Sequence, residues 1–342
     1  NNITAGASGI DTIKTFDPSE LAVQIAGEVK DFNPSDYLPK DLIRKTDPFM
    51  QYAYIAAEEA MKQSGIEIEP ERTGIVMGTA MAGIATIAYT QEALTGASHK
   101  KVGPRFIPKI LGNIAAANIA IDYNIQGPSF TVSTACSSGG DAINTACMCM
   151  QSGKADIMLA VGAESVLCPL VIYSLANAKA LSRRNDSPST ASRPFDVTRD
   201  GFVIGEGGGA LVLETEESAN GRNARKYAEI KGYAQAHRPV SYDNSEVDSK
   251  AVVEVIEKAC VNAGIEADNI DFVCCDDRKI IKTLMPCYDV SQEIGNARAA
   301  ASAMTAAYAA ELLSDSEKNY EYGLALSMGA GGTYSAVILR KA

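Results

Sequence analysis

The sequence predicts an α/β fold in which one arrangement of helices and strands is repeated. Continuous apolar segments alternate with amphipathic helical segments along the 342 residues, which is typical of sheets covered by helices on both faces. A helix, a short linker and a buried strand follow one another at 47–78 and again at 249–276. A glycine-rich turn entering an apolar strand occurs at 205–214 and at 329–340. Because the two pairs of similar segments occur in the same order, the sequence favours duplication of an α/β half over chance similarity.

The individual elements follow from caps and apolar runs. Asp47 is a suitable N-cap and Pro48 a suitable first helical residue, so a helix is expected over Asp47–Ser64, ending at Gly65. Further helices are expected from about Gly139 to Ser152 and over Ser249–Gly264. The expected strands are Thr73–Met77, Phe130–Val132, Asp156–Val161, Ala210–Glu214, Ala228–Tyr233, Asp271–Cys274, Tyr322–Ser327 and Ser335–Arg340. The best boundary lies within Asn220–Lys226, which divides one compact unit into halves 1–222 and 223–342.

The composition describes a folded, acidic protein. Hydrophobic residues make up 46% of the chain, and 31 Lys and Arg residues face 42 Asp and Glu residues, a net charge of −11. Such a chain is a poor candidate for nonspecific binding to nucleic acid or to anionic membranes. No apolar run reaches the roughly 18–20 residues of a membrane helix, and the polar start does not resemble a signal peptide. We therefore expect a cytoplasmic protein without nucleic-acid or membrane partners.

The eight cysteines are expected to be free thiols, because the chain is long and rich in core residues. Zinc-type ligand spacing is missing, and no metal is expected. The only histidines are His99 and His237, for which an exposed loop is the favoured interpretation. This restricts the chemistry, since histidine is the usual general base near pH 7.

One cysteine stands apart, in the segment STACSSGGDAINTA at 133–146. A strand leads into Cys136, small residues follow, and a helix begins. A sharp strand–turn–helix lifts a side chain clear of the sheet, as the nucleophile elbow does for serine in α/β-hydrolases. The helix N-terminus favours a thiolate. Cys136 is therefore predicted to accept acyl groups. The alternative, a small core residue, suits the other helical and loop cysteines, Cys147, Cys149, Cys168 and Cys260.

Three segments carry a resemblance to a known family. TACSSGGDA, then SRPFDVTRDGFVIGEGGGALVLE at 192–214, then SMGAGGTYSAVIL at 327–339 resemble the β-ketoacyl-acyl carrier protein synthases of the thiolase superfamily. The resemblance extends from Asn1–Ile13 to the last strand. It implies the thiolase-like duplicated αβαβα five-layer fold, a dimer, no resident cofactor, and acyl groups delivered as phosphopantetheine thioesters of acyl carrier protein.

The resemblance also implies roles for single residues. Cys136 would be the acyl site, and its N–H and that of Ala330 would form the oxyanion hole. Ala330 also stands in the glycine turn where the family has a gating phenylalanine. The implied substrate-binding residues are Phe202 beside the cysteine, Leu111 and Gly112 at an acyl pocket near the dimer interface, and Met328 near the gating position. The glycine run at 205–209 precedes a strand, so it is interpreted as close backbone packing, not as a dinucleotide site.

Both histidines of the family are replaced in this sequence. Asp276, in CCDDRKI, and Asn296, in SQEIGNARAAASAM, stand at their positions, and Ser291 replaces a lysine. The family uses the two histidines to stabilise the enolate formed when malonyl carrier protein is decarboxylated. Loss of one oxyanion donor typically costs about 3–4 kcal/mol of barrier. Asn296 could donate one hydrogen bond, whereas an ionised Asp276 would repel the enolate. We expect acyl transfer onto Cys136, with impaired or partner-dependent decarboxylative condensation.

Two alternatives stay open. The first is a non-condensing subunit of a ketosynthase heterodimer, like a chain-length factor, which the lost histidines favour and the retained Cys136 opposes. The second is an acyl-binding scaffold dimer with a vestigial cysteine. The partners expected are acyl carrier protein and a second ketosynthase-family chain, as a homodimer or a heterodimer. Candidate basic residues for carrier docking are Lys100, Lys101 and Arg105, although a solvated loop explains this cluster equally well.

Overall fold

The computed structural model describes residues 3, 5–95, 102–239, 248–275 and 285–342. Its helices are α1 (Lys40–Lys45), α2 (Pro48–Ser64), α3 (Ile84–Thr95), α4 (Phe106–Ile110), α5 (Asn113–Tyr123), α6 (Ser138–Gln151), α7 (Pro169–Asn177), α8 (Glu216–Gly221), α9 (Ser249–Ala263), α10 (Ser291–Ile294) and α11 (Ala299–Ser314). Its strands are β1 (Asp11–Thr12), β2 (Ile25–Ala26), β3 (Thr73–Gly78), β4 (Ser129–Val132), β5 (Ile157–Glu164), β6 (Gly207–Glu214), β7 (Ala228–His237), β8 (Phe272–Cys275), β9 (Cys287–Asp289), β10 (Tyr322–Gly329) and β11 (Thr333–Lys341).

The strands form two large sheets and one small hairpin. The first sheet has the order β4-β3-β5-β6, with β3 parallel to both neighbours and β6 antiparallel to β5. The second has the order β7-β11-β10-β8-β9, with β8 parallel to its neighbours and β11 antiparallel to β7 and β10. Strands β1 and β2 pair separately. Each large sheet draws its strands from one side of residue 222, although the predicted division at that residue stays a prediction.

Helices and sheets alternate in five layers. Helices α6 and α11 lie between the two sheets and contact both. Helices α2 and α5 cover the outer face of the first sheet, and α9 covers the outer face of the second. The central core contains Ala142, Ala146, Ala306 and Ala309 together with Phe272 of β8. Small side chains on the two central helices let the sheets approach, which produces the αβαβα order that the sequence predicts.

Glycines allow the central helices to meet at their N-terminal ends. A Cβ atom at Gly139 of α6 would lie 2.3 Å from the carbonyl oxygen of Ala299 in α11. A Cβ atom at Gly162 of β5 would lie 2.4 Å from the same oxygen. These distances are far below van der Waals contact, so both positions require glycine. The beginning of α11 is thereby held against the beginning of α6.

Most expected elements are present, with informative differences. Asp47 caps α2 by accepting a hydrogen bond from Phe49 N at 3.0 Å, and Gly65 ends it with φ 59°. Three of the glycines that were expected to form a turn before β6 are part of the strand, because Gly207, Gly208 and Gly209 pair with β5. His237 is the last residue of β7, where a loop was expected, because the strand continues in register with Thr333 of β11.

The predicted close packing of the glycine run is also observed. A Cβ atom at Gly205 would lie 2.5 Å from Ile294 O, and one at Gly208 would lie 2.6 Å from Tyr52 O.

Over the described ranges, no helix has both the length and the apolar character needed to cross a membrane.

Candidate active site

Cys136 lies in the turn that joins β4 to α6. Ala135 adopts the left-handed conformation with φ 57°, which costs an L-residue about 1–2 kcal/mol. The hydroxyl of Ser138 accepts a hydrogen bond from Thr134 N at 2.9 Å and donates to Ala135 O at 2.6 Å. Cys136 is 8% exposed and lies two residues before the start of α6. The predicted strand–turn–helix is therefore present, and side-chain hydrogen bonds hold it in shape.

The hairpin between β10 and β11 packs directly on this turn. A Cβ atom at Gly329 would lie 2.0 Å from Thr134 O, so only glycine fits there. Ala330, predicted to be the second oxyanion donor, follows in the exposed hairpin turn. Met328 is half-buried in β10 and packs on the apolar cluster of the second sheet. The roles of Ala330 and Met328 stay predictions, and the structure brings their hairpin to the cysteine turn.

A guanidinium group contacts the cysteine sulfur. Nη1 of Arg298 lies 3.4 Å from Sγ of Cys136, and Cζ of Arg298 lies 4.8 Å from the centre of the Phe202 ring. Phe202 was predicted to lie beside the cysteine. Its ring contacts the guanidinium of Arg298, which in turn contacts the cysteine sulfur. Arg298 directly precedes α11 and has φ 54° and ψ −125°, a backbone conformation that disfavours side chains.

Asn296 holds the turn that presents Arg298. Its Oδ1 accepts a hydrogen bond from Arg298 N at 3.0 Å. Its backbone bonds to Val203 O at 2.7 Å and to Gly205 N at 3.0 Å. The oxygen of the side chain is thus used locally, and Nδ2 is the group of Asn296 that could donate to a substrate. The other residue at a histidine position, Asp276, lies outside the described residues.

A buried carboxylate lies close to this arginine. Glu164, at the end of β5, accepts hydrogen bonds from Thr79 Oγ1 at 3.0 Å, Ala80 N at 2.7 Å and Met81 N at 3.1 Å. Burial raises the pKa of Glu164, and the charge of Arg298 acts in the opposite direction. Glu164 was not among the residues predicted from the sequence.

Comparison with known proteins identifies the family. Residues 1–219 match the family described as "Beta-ketoacyl synthase, N-terminal domain". The chain is 35% identical over 339 residues to 3-oxoacyl-[acyl-carrier-protein] synthase 2 of Vibrio cholerae, which covers 98% of this chain and 79% of the relative. The chain belongs to the β-ketoacyl synthase family. It is also 37% identical over 274 residues to the Coxiella burnetii protein of the same name, covering 79% of this chain and 66% of that protein.

Solved structures of ketosynthases share the thiolase-like fold of this family member. "The ishigamide ketosynthase/chain length factor" has a TM-score of 0.88 at 25% identity, over 100% of this chain and 94% of that one. A β-ketoacyl synthase from Burkholderia phymatum STM815 has a TM-score of 0.88 at 23% identity, over 99% of this chain and 94% of that one. The duplicated αβαβα thiolase fold predicted from the sequence is confirmed.

The remaining predicted residues of this family member lie beside β4. A Cβ atom at Gly112 would lie 3.2 Å from Thr79 Cγ2 and 3.4 Å from Thr131 Cγ2. Leu111, which ends α4, is 43% exposed in the isolated chain. Their assignment to an acyl pocket stays a prediction.

The other cysteines behave as core residues. Burial raises the pKa of the Cys147 thiol to about 12. Burial also raises the pKa values of four other thiols, those of Cys149, Cys168, Cys260 and Cys274. The core positions predicted for Cys147, Cys149, Cys168 and Cys260 are confirmed.

Sequence reasoning missed Arg298, although the chain contains a signal for it. Arg298 is the only charged residue in the run from 294 to 310, which otherwise consists largely of alanine and other small residues. A lone charge at the start of a helix that must be buried between two sheets requires a partner or a function. The sequence does not show which buried group it meets.

Proposed function

We propose that Cys136 accepts an acyl group from the phosphopantetheine thioester of acyl carrier protein. The cysteine thiolate attacks the thioester carbonyl, the bond from this carbon to the carrier sulfur breaks, and the carrier thiolate takes up a proton. The observation that carries the proposal is the position of Cys136, which lies before α6 in a strained turn and keeps a small exposed surface. The dipole of α6 favours negative charge at its N-terminal end, next to Cys136.

Decarboxylative condensation is impaired in this chain or depends on a partner subunit. Asp276 and Asn296 supply no imidazole, and Oδ1 of Asn296 is engaged by Arg298 N. The imidazole of His237 lies 3.5 Å from Thr333 Oγ1 at the exposed end of β7. An enolate would therefore lack the two imidazole donors that family members use.

Acyl carrier protein is the proposed donor, and a basic groove supports its docking. Arg44, Arg105 and Lys109 line one cavity between α1 and α4, in a chain whose net charge is −11. Asp41 forms ion pairs with Arg44 at 3.0 Å and with Arg105 at 3.8 Å, which orients both side chains. Lys45 also pairs with Asp41, and Lys109 acts on the buried Asp47, so four cations against two acids leave a local excess of positive charge. Lys100 and Lys101, also predicted for docking, lie outside the described residues.

A second ketosynthase-family chain is the proposed partner at β4. This strand is an edge of the first sheet, and Phe130 on it is 46% exposed in the isolated chain. An uncovered edge strand offers unpaired backbone groups to another chain. The partner is either a second copy or a different subunit.

One set of comparisons favours a second candidate function, a chain-length-factor-like subunit. The ketosynthase/chain length factor structure matches over the whole chain. "AntDE:AntF (apo): type II PKS acyl-carrier protein in complex with its ketosynthase bound to the hexaketide" matches at 26% identity with a TM-score of 0.85. If the protein expressed alone sediments as a stable homodimer, the heterodimer candidate loses support.

Intact mass spectrometry tests the proposed acyl transfer. The purified protein, Cys136→Ala and the matched control Cys147→Ala are each incubated with acyl carrier protein bearing an acyl thioester. We expect a mass increase of one acyl group in the unchanged protein and in the control, and none in Cys136→Ala. No adduct in any sample would reject acyl transfer and favour a scaffold role. Carbon dioxide release from malonyl carrier protein, at the rate of a full ketosynthase, would contradict impaired condensation.

A further inference from the structure

We propose that Arg298 is a catalytic residue of this site, whose guanidinium stabilises the thiolate of Cys136 in place of the absent imidazoles. The contact itself is direct, since Nη1 lies 3.4 Å from Sγ. Cysteine thiolates are stabilised by neighbouring cations, arginine included. A guanidinium keeps its protons in proteins, so it acts as a fixed positive charge and not as a base. Its contribution to acyl transfer rests on the proposed function, whereas the stabilised thiolate is measurable without any acyl donor.

The guanidinium is held in place from two sides. The face of the Phe202 ring lies 4.8 Å from Cζ, a distance at which the ring attracts a cation. The backbone of Arg298 is fixed by Asn296 Oδ1 in a conformation that costs an L-residue free energy. Strained residues of this kind persist where the surroundings impose them, and they concentrate at functional sites.

Arg298 differs from the structural arginines of this chain. Arg72 pairs through Nε and Nη2 with both oxygens of Asp156, at 2.8 and 2.7 Å. Arg222 forms the corresponding bidentate pair with Glu214. Nε and Nη2 of Arg298 are buried, and within the described part of the chain neither has a hydrogen-bond partner. No carboxylate of the described residues forms a bidentate pair with it; its charge acts on Glu164 from a distance, and its Nη1 contacts the sulfur directly.

Two acidic groups lie around the turn, and hydrogen bonds hold each of them in place. Asp141 of α6 accepts a hydrogen bond from Thr134 Oγ1 at 2.5 Å, and Glu164 of β5 is held by three donors. Burial raises the pKa of both carboxyl groups, and the hydrogen bonds that they accept oppose this effect. Arg298, which directly precedes α11, places a cation on Cys136.

In the acyl-transfer step Arg298 exchanges no proton. The Cys136 thiolate forms a bond to the thioester carbonyl carbon, and the bond from this carbon to the carrier sulfur breaks. The carrier thiolate then takes up the proton that the cysteine released when it ionised. The guanidinium stabilises the negative charge on Sγ before attack, so its loss lowers the fraction of reactive thiolate at neutral pH.

Alkylation of the thiol tests this role directly. The rate of reaction of Cys136 with iodoacetamide is followed by peptide mass spectrometry from pH 5.5 to 9.5. The proteins compared are the unchanged chain, Arg298→Met, Arg298→Lys and the surface control Arg340→Met. We expect the inflection of the rate to move upward by about one pH unit in Arg298→Met, with about tenfold slower alkylation at pH 7. Arg298→Lys should retain most of the rate, and Arg340→Met all of it.

An inflection in folded Arg298→Met that coincides with that of the unchanged protein would overturn the proposal. If Arg298→Met does not fold, as judged by circular dichroism, Arg298→Lys and Arg298→Gln make the same comparison between a retained and a removed charge. If the unchanged protein forms no acyl adduct but Arg298→Met still shifts the pH dependence of alkylation, the proposed function is rejected and the role of Arg298 is retained. Acyl transfer at an unchanged rate in Arg298→Met, with no alkylation shift, would reject the inference alone.

Discussion

Cys136 differs from the core cysteines of this chain in what surrounds its sulfur. Cys147 lies in the apolar layer between the sheets, where burial holds its thiol neutral. Cys136 lies at the end of a strained turn, next to a helix start and a guanidinium. The same side chain is therefore a small apolar group at one position and a candidate nucleophile eleven residues earlier. Local electrostatics decide between the two.

Asp47 is a buried carboxyl group whose raised pKa links the stability of the fold to pH. It is 1% exposed, and burial raises its pKa to about 6, although hydrogen bonds from Thr86 Oγ1 and Phe49 N and the charge of Lys109 oppose this effect. The folded state thus binds a proton that the unfolded state, with its ordinary pKa of 3.8, releases earlier. The stability from this group is complete below pH 3.8 and is lost as the pH rises through about 6.

Asp47→Asn should remove this pH dependence while keeping the helix cap, since asparagine caps helices well. From the two pKa values, the variant should gain up to about 3 kcal/mol of unfolding free energy relative to the unchanged protein between pH 4 and pH 8. Urea unfolding at several pH values measures the difference, with the exposed Glu20→Gln as control. A difference between variant and unchanged protein that stays constant with pH would contradict the assignment.

At the scale of elements, the approach of α6 to α11 assembles the site. Arg298 meets Cys136 only because the two helices touch at their N-terminal ends, with the carbonyl of Ala299 against Gly139. Helices made of alanine and glycine offer little side-chain volume, so their separation is set by the backbones. The position of the guanidinium therefore depends on small residues in both helices.

Gly139→Ala tests this dependence. The added methyl group would lie 2.3 Å from Ala299 O, so the helices must separate. We expect a loss of about 2 kcal/mol in unfolding free energy, which is typical of overpacking, and slower alkylation of Cys136 as Arg298 withdraws. The matched control is Gly103→Ala, because no atom lies within 4 Å of a Cβ at Gly103. Equal stability of the two variants in chemical denaturation would show that the contact is not restrictive.

At the scale of the whole molecule, charge is unevenly distributed. The chain is acidic overall, yet Arg44, Arg105 and Lys109 face one groove beside α4. Gly112, two residues after α4, lies beside β4, since a Cβ atom there would be 3.4 Å from Thr131 Cγ2, and β4 leads to Cys136. A carrier protein docked in the groove would therefore lie at the side of the molecule that carries the nucleophile turn.

Charge reversal in this groove should weaken use of the carrier but not of small thioesters. For Arg44→Glu and Arg105→Glu we expect KM for acyl carrier protein to rise ~5-fold at low salt, with the difference shrinking as ionic strength increases. Acylation by a pantetheine thioester without the carrier should be unchanged. Lys250→Glu, an exposed reversal on α9, is the control. A KM that rises equally in the control would indicate a general charge effect instead of docking.

Much of this molecule follows from short stretches of sequence. Asp47, Pro48 and Gly65 mark α2 from its caps alone, and alternation of apolar runs with helices predicts the layered sheets. The turn at Cys136 is predicted because its small residues are neighbours in the chain. The extent of β7 was underestimated, since pairing with β11 carries the strand on to His237.

The sequence alone determined the order of elements and the duplicated fold, and it predicted Cys136 as the nucleophile, because caps, apolar periodicity and a contiguous motif act between residues close in the chain. Only the tertiary structure decided which charge reaches the sulfur. Cys136 and Arg298 are 162 residues apart, and they meet through the packing of two helices between two sheets. Such a contact depends on close packing at Gly139 and Gly162, where a Cβ atom would lie 2.3 and 2.4 Å from Ala299 O, and no local pattern encodes this approach.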